Sequence, residues 1–518
     1  MYKRRSGQLS MLDSPTMFGT IPLDSKNGWV KLSGIIPWME FEERYAANFK
    51  SRKGQGACPA RMALGALLIK ERYGVSDEDV VAEIAMNPYL QYFLGLREFR
   101  YTAPFDASML TRFRHRISGE MLAWINDRVI GRPQPEDSRN DDDPKGGNGS
   151  GGDGGTEETP EEAAAGSDST ESAPANEGTM ILDATCAPQD IRYPTDTSLL
   201  NEARINAEEI IDALHQSGLT GGEKPRTYRE KALREYNAFS KSRKKAQKKI
   251  RKVKGKLLNY LARDLTAINR IVVEHPDQDC LGEALTPRQV ERLAVIIALY
   301  EQQRAMHEGG TRSVPKRIVS LSQYWVRPIV RGKQRAEVEF GSKVEMSVVD
   351  GFLRVEKLQW EAFNEGGTLI DSVEAFRRAY GHYPARVLAD KIFRTRENLR
   401  YCKARGIHIN GPKLGKPSAD EALRNQQLKE EWLESGERGE IERDFGVGKR
   451  RYSLGRIMMK LRDTSEVAVR VAVRVAVLAM NLWKKLRLLL QHLWNLLYNC
   501  FATLRPTQNC ATFLLAGS

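Results

Sequence analysis

The chain has 518 residues, too many for one ordinary hydrophobic core, so two or three domains are expected. A hydrophobic content of 41% supports globular folding, and a formal net charge of +13 calls for a polyanionic partner, nucleic acid or an anionic membrane surface. The six cysteines (Cys58, Cys186, Cys280, Cys402, Cys500 and Cys510) lie far apart with no C-x-x-C pair. That pattern argues against a zinc ribbon, a thioredoxin-like motif or a secreted disulfide framework, and for a reducing cytoplasm.

The N-terminal "MYKRRSGQLSMLDS" is basic but has no apolar core, so it does not read as a secretory signal. Residues 1–131 read as helical. "PARMALGALLIKERYG" has the helical apolar period and stops at Gly74. "SDEDVVAEIAMNPYLQYFLGL" opens on Ser76 as N-cap with acids in its first turn, and "DASMLTRFRHRISGEMLAWINDRVIG" has Asp106 as a candidate cap. Arg112, Arg114, His115 and Arg116 cluster on that third segment. A helical unit with a basic last helix suits DNA docking; the bland reading is a surface helix with ordinary charges.

Residues 132–179 contain no Leu, Ile, Val, Met, Phe, Tyr or Trp, and carry 13 acids against 3 bases. Such a stretch cannot bury enough apolar surface to offset its ordering entropy and is expected to be a disordered acidic linker. Subtracting its −10 from the chain's +13 leaves +23 on the folded parts, so the whole-chain figure understates their basicity.

"TMILDATCAP" then suits a strand, its apolar run ending in Asp183. A long helical region follows, about 197–312, centred on "KSRKKAQKKIRKVKGK" with ten bases and no acid. So dense a like-charge block repels itself unless a polyanion neutralises it, which selects Lys244, Lys245, Lys248, Lys249, Arg251 and Lys252 as DNA-binding residues. Two alternating runs flank Asp350-Gly351, a strong hairpin signal. "ARVLAD", ending in Asp390, and "GIHING" read as further strands.

Polar helices lead to "RGEIERDFGVGKRRY". At about 100° per residue, Glu442 lies ~40° and Lys449 ~20° from Arg438, while Glu440 falls on the opposite side, at ~200°. Glu442 is therefore the acid sharing a face with two cations. Exposed i,i+4 ion pairing is the bland alternative. Asp183 and Asp390 at strand ends, with a Glu from a packed helix, would suit two hard divalent cations and in-line phosphoryl displacement, with neighbouring Arg and Lys on phosphate. "VAVRVAVRVAV" at 467–477 holds AVRV twice in tandem; it alternates like a strand, but its position favours a helix. "LLLQHLWNLLYNCFATL" at 488–504 includes Gln, His and two Asn, and reads as a buried or partner-binding helix rather than a membrane span.

Read together, these segments resemble the DDE transposases of bacterial insertion sequences, in the broad insertion-sequence-four and insertion-sequence-five grouping. "SMLDSPTMFGTIPLDSKNGWVKLSGIIPW" resembles their helical N-terminal domain, "ILDATCAPQDIRYPTD" the first-Asp strand, "VLADKIFRTRENLRYCKARGIHING" the second-Asp region and "RGEIERDFGVGKRRYSLGRI" the Glu region. Of the signature Y-x-x-R-x-x-x-E-x-x-x-x-x-x-K, Arg438, Glu442 and Lys449 match, whereas Ser435 stands at the Tyr position.

The resemblance implies an α/β, ribonuclease H-like catalytic domain over 180–480. A helical insertion follows its first strand, an all-α DNA-binding domain over 1–131 precedes it, and a helical tail over 481–518 follows. It implies that Asp183, Asp390 and Glu442 are catalytic and bind two Mg2+, with Mn2+ as a substitute. Arg438, Lys449, Arg450 and the basic residues named above, Arg112, Arg114 and Arg116 included, would bind double-stranded DNA. It further implies cleavage at terminal inverted repeats, 3′-hydroxyl transfer into target DNA, a homodimer in the synaptic complex, no membrane partner, and a cytoplasmic, nucleoid-associated setting. An inactive copy that only binds element ends, or a nuclease of the same fold, are the alternatives.

Overall fold

The computed structural model describes Tyr2, Pro15 and residues 18–49, 56–132, 175–275, 280–333, 336–412, 420–458 and 462–503. The acidic stretch read as a linker lies outside them, apart from Arg132 and residues 175–179.

Among the described residues seven helices come first: α1 (Gly28–Ser33), α2 (Trp38–Ala47), α3 (Ala60–Tyr73), α4 (Asp77–Met86), α5 (Pro88–Phe93), α6 (Ser108–Arg116) and α7 (Gly119–Ile130). Their ends follow local chemistry. Gly74 stops α3 with φ +68°, its N–H donating to the Lys70 carbonyl at 2.8 Å. The Ser76 hydroxyl accepts the Asp79 N–H at 3.1 Å and opens α4, whose three first-turn acids complement the helix dipole. Asp106 accepts the Ser108 N–H at 2.9 Å just ahead of α6.

The sheet comprises β1 (Thr179–Pro188), β2 (Arg327–Lys333), β3 (Ala336–Val349), β4 (Phe352–Gln359), β5 (Arg386–Ala389) and β6 (His408–Ile409). Its path is β2-β3-β1-β5-β6, with β4 also on β3. β3 is antiparallel to β1, β2 and β4, whereas β5 is parallel to β1 and β6 to β5. Asp350 (φ +51°) and Gly351 (φ +77°) form the two-residue turn joining β3 to β4, as the sequence predicts.

Alternation gives the sheet two buried faces. Ile181, Met346, Val348 and Leu388 join the core that includes the N-terminal helices. Met180, Leu182, Val387 and Ala389 face the other way, against α13 (Leu369–Tyr380) and Phe393.

Between β1 and β2 lie α8 (Asp196–Gln216), α9 (Arg229–Ser240), α10 (Gln247–Glu274), α11 (Cys280–Ala284) and α12 (Pro287–Glu308), the helical insertion expected at about 197–312. It has its own core from Leu200, Ile211, Leu261, Ile296 and Leu299. α14 (Arg396–Ala404), α15 (Glu421–Arg451) and α16 (Arg462–Thr503) complete the chain.

α16 runs unbroken through the boundary placed at 480/481 and packs on α3, α6, α7 and β4. Its AVRV repeat is helical; Val469, Val471, Val473, Val475 and Val477 are all buried, while Arg470 is exposed and Arg474 half-buried on the remaining side. Because α16 fills the space between the N-terminal helices and the sheet, the two share one continuous core. The buried Asn481 ties them: its amide donates to Asn126 Oδ1 of α7 (2.8 Å) and to the Leu353 carbonyl of β4 (2.7 Å), and accepts the Leu353 N–H (3.0 Å).

Candidate catalytic site and nucleic-acid interface

The register of β1 and β5 brings the two aspartates together. Ile181 pairs with Leu388 and Leu182 with Ala389, so Asp183 and Asp390 are the next positions on adjacent parallel strands, about 4.8 Å apart between strand axes. Both follow the parity of Ile181 and Leu388, toward α15.

One expectation is corrected. Asp183 does not end its strand, because β1 continues to Pro188, held by the long β3 through Gly341. The parallel partner stops instead: β5 ends at Ala389, and Asp390 caps the 3-10 turn Lys391–Phe393, accepting the Lys391 N–H at 2.7 Å. The opening lies where β5 leaves β1, so Asp183 can be mid-strand and still reach it.

α15 starts at Asp420, whose side chain accepts the N–H groups of Ala422 (2.9 Å) and Leu423 (3.4 Å). Buried Ile441 and Phe445 seat it on the shared core. Arg438 extends between two carboxylates, 3.1 Å from Glu442 Oε1 and 3.8 Å from Asp183 Oδ2. Glu440 faces away and meets Lys484 of α16 at 3.1 Å, as the helical angles predict.

The Glu442 side chain is 57% exposed and that of Asp183 only 16%. Burial pushes the Asp183 carboxyl up to about 6; the charges of Glu365 and Asp390 add to this, while the Ala184 N–H and Arg438 oppose it. Glu365, which sequence reading did not select, stands in the 3-10 turn Glu365–Gly367 and pairs with Lys343 at 2.8 Å.

Among the described residues no three His, Cys, Asp or Glu gather as a closed metal cage. The Asp183–Asp390 pair nonetheless has the chemistry a hard divalent cation takes: neighbouring carboxylate oxygens, with mutual repulsion that a cation would relieve. Glu442 is engaged by Arg438 and would join them by turning from it.

Beyond Glu442, along α15, a cleft of about 610 Å3 is lined by five cations, Arg72, Lys449, Arg450, Arg451 and Arg456, and by no acid. Lys449 is also 3.4 Å from Glu339, and Arg456 is 2.9 Å from Asp190. Arg72 comes from α3 and sits 5.2 Å over both the Tyr452 and Trp483 rings. Lys449 is seven residues from Glu442, roughly 10 Å along the helix. Sequence reading selected none of Arg72, Arg451 and Arg456; Arg72 carries no sequence signal, since only tertiary packing brings α3 to the end of α15, whereas Arg451 continues the Lys449-Arg450 run.

In the insertion, Lys244, Lys245, Lys248, Lys249, Arg251 and Lys252 are all exposed, whereas Lys254 turns inward to Asp196 at 3.1 Å. On α6 the expected cluster divides. Arg112 is exposed, and Arg116 is half-buried with its guanidinium 4.9 Å over Phe49. Arg114 is buried and ion-paired with Asp77, which leaves it no face for a phosphate and corrects its reading as a DNA-binding residue.

Two family models match the chain. Residues 21–116 match one described as "Transposase domain", and residues 387–479 match one described as "Transposase DDE domain". The second span includes Asp390, Arg438, Glu442 and Lys449; Asp183 lies outside both. A curated relative, "Uncharacterized protein ORF8 in nfe locus" of Rhizobium meliloti, is 35% identical over 100 residues, 19% of this chain. The aligned region spans about half of that relative's length, 48%. No solved structure matches the chain.

Proposed function

With a transposase domain near its start and a DDE transposase domain toward its end, the chain belongs among the DDE transposases of insertion sequences, and on that premise we propose that it cuts DNA at the ends of such an element and joins the 3′-hydroxyl ends to target DNA. The observation that carries this reading is the parallel register that sets Asp183 beside Asp390, with Arg438 linking Asp183 to Glu442. The strand arrangement supports a ribonuclease H-like catalytic fold: an antiparallel β4-β3-β1 unit continued by parallel β5 and β6.

Asp183, Asp390 and Glu442 would hold two Mg2+, with Mn2+ able to substitute. Bound there, the metal supplies Lewis-acid stabilisation of the attacking and leaving oxygens. The chain's own groups do the rest. The raised basicity of Asp183 makes it a strong oxygen donor near neutral pH. Arg438 holds the helix carboxylate toward the strand carboxylate. The five-cation cleft and the exposed basic run of the insertion would hold phosphodiesters of the bound DNA. Joining two element ends in one event calls for two copies of the chain.

The test is a cleavage and joining assay with Mg2+ on DNA flanking the gene. Joined molecules support transposition. Cut ends alone would assign a nuclease of the same fold, and shifted bands alone an inactive, end-binding copy.

A further inference from the structure

Among the described residues of α16, Leu486 is the last that is buried; from Arg487 to Asn499 every residue is exposed. The projecting segment is nonetheless strongly apolar. Leu489 (49% exposed), Leu490 (41%), Leu493 (54%), Trp494 (71%), Leu496 (49%) and Leu497 (47%) all face solvent.

Their placement is ordered. At about 100° per residue these six side chains fall within an arc of ~160° centred on the direction of Leu486. Gln491, His492, Asn495 and Asn499 occupy the opposite side together with one apolar residue, Leu488 (43% exposed), and Tyr498 (66%) flanks the stripe at ~120°. Leu482 and Leu486, both buried against the body of the protein, lie on the same line. The stripe that packs α16 into the fold therefore continues outward for three more turns without a covering surface among the described residues. With Leu486 as position a, Leu489 and Leu496 fall at d, Leu493 at a, and Leu490 and Leu497 at e. That stripe is wide enough for a helix packed in a bundle.

We propose that a second copy of this chain covers the stripe, the projecting ends of two α16 helices packing on each other. Three observations select this occupant. The six side chains, each 41–71% exposed, together leave several hundred Å2 open, on the order of the apolar part of one face of a standard protein interface. No Asp, Glu, Lys or Arg occurs from Leu488 to Asn499, so two such segments meet without charge repulsion although the chain as a whole carries +13. The stripe is continuous with the packed half of the same helix, which fixes its direction for a partner. The inference rests on α16 alone and stands or falls apart from the reading as a transposase.

The experiment is sedimentation velocity of the full-length protein at micromolar concentration, without DNA. The wild type should sediment at twice the chain mass. Leu493→Glu with Leu497→Glu should raise the dimer dissociation constant by about 100-fold or more. Gln491→Glu with Asn495→Glu, on the polar side, should leave it unchanged. Circular dichroism should show the same helix content in all three, because the altered residues lie outside the core.

A monomeric wild type, or a dimer that survives the double leucine substitution, overturns the proposal. So does a wild-type monomer that dimerises once residues 504–518 are removed, which would assign the stripe to the chain's own end. A monomer that floats with anionic phospholipid vesicles would assign it to a membrane and overturn the proposal equally.

Discussion

Asn481→Ala tests whether one side chain couples the N-terminal helices to the sheet. The substitution removes three hydrogen bonds of 2.7–3.0 Å in a site from which solvent is excluded. The Leu353 N–H and Asn126 Oδ1 are each deprived of the partner that Asn481 provides. The Leu353 carbonyl keeps a second donor, Asn126 Nδ2, at 3.2 Å. Two buried groups left unsatisfied cost about 1–3 kcal/mol each, and the small cavity adds to this, so a loss of about 3–4 kcal/mol is expected. Urea unfolding followed by tryptophan fluorescence reads it, since Trp29 and Trp483 stack edge-on where α1 meets α16. Asn481→Asp, which keeps the acceptor for the Leu353 N–H but not the amide donor, should destabilise as well. A loss below about 1 kcal/mol for Asn481→Ala would refute the reasoning, because satisfied buried amides cannot be that cheap to remove.

Three further outcomes are expected. Deleting one AVRV unit, residues 468–471, would displace one flank of α16 against the other by about 6 Å and turn it ~40°; Asn481 then misses Leu353 or the packed start of the helix misses the core, and a lowered thermal midpoint would record it. Asp264 of the insertion is buried, and desolvation, with Glu208 adding to it, raises its carboxyl to about 7. Its neutral form thus stabilises the fold fully below the ordinary carboxylate range and progressively less as pH climbs to 7, so Asp264→Asn should match the wild type near pH 4 and exceed it by on the order of 4 kcal/mol at pH 8; equal pH profiles by chemical denaturation would count against it. Replacing Lys244, Lys245, Lys248 and Lys249 with Gln should flatten the salt dependence of DNA binding by about 0.9 in log–log slope for each phosphate no longer neutralised, as fluorescence anisotropy across a salt series would reveal.

Much of the fold was legible where local chemistry decides it. Gly74 and Ser76 mark a helix end and a helix start, Asp350-Gly351 marks the hairpin, and the angles along α15 separate Glu442 from Glu440. What was not legible depends on partners distant in sequence. Asp183 reads as a strand end because the apolar run stops there, but strand length is set by pairing with β3, whose Met346 stands opposite Asp183. Arg114 reads as part of a basic surface because its inward turn is decided by Asp77 on another helix. Glu365 sits in a polar loop and becomes relevant only where the fold brings its charge near Asp183. The AVRV repeat alternates like a strand because valines buried around most of the helix circumference leave only Arg470 and Arg474, at i,i+4, to mark a helical face.

The most direct test of the central claim compares Asp183→Asn, Glu442→Gln and Glu440→Gln in the Mg2+ cleavage assay, with DNA binding measured in parallel. Asp183 and Glu442 flank the Arg438 guanidinium on one face of α15, while Glu440 pairs with Lys484 on the other. The first two variants should bind DNA and fail to cut it, and the third should cut. Cleavage by Asp183→Asn or Glu442→Gln at the wild-type rate would contradict the assignment of these carboxylates to the strand chemistry.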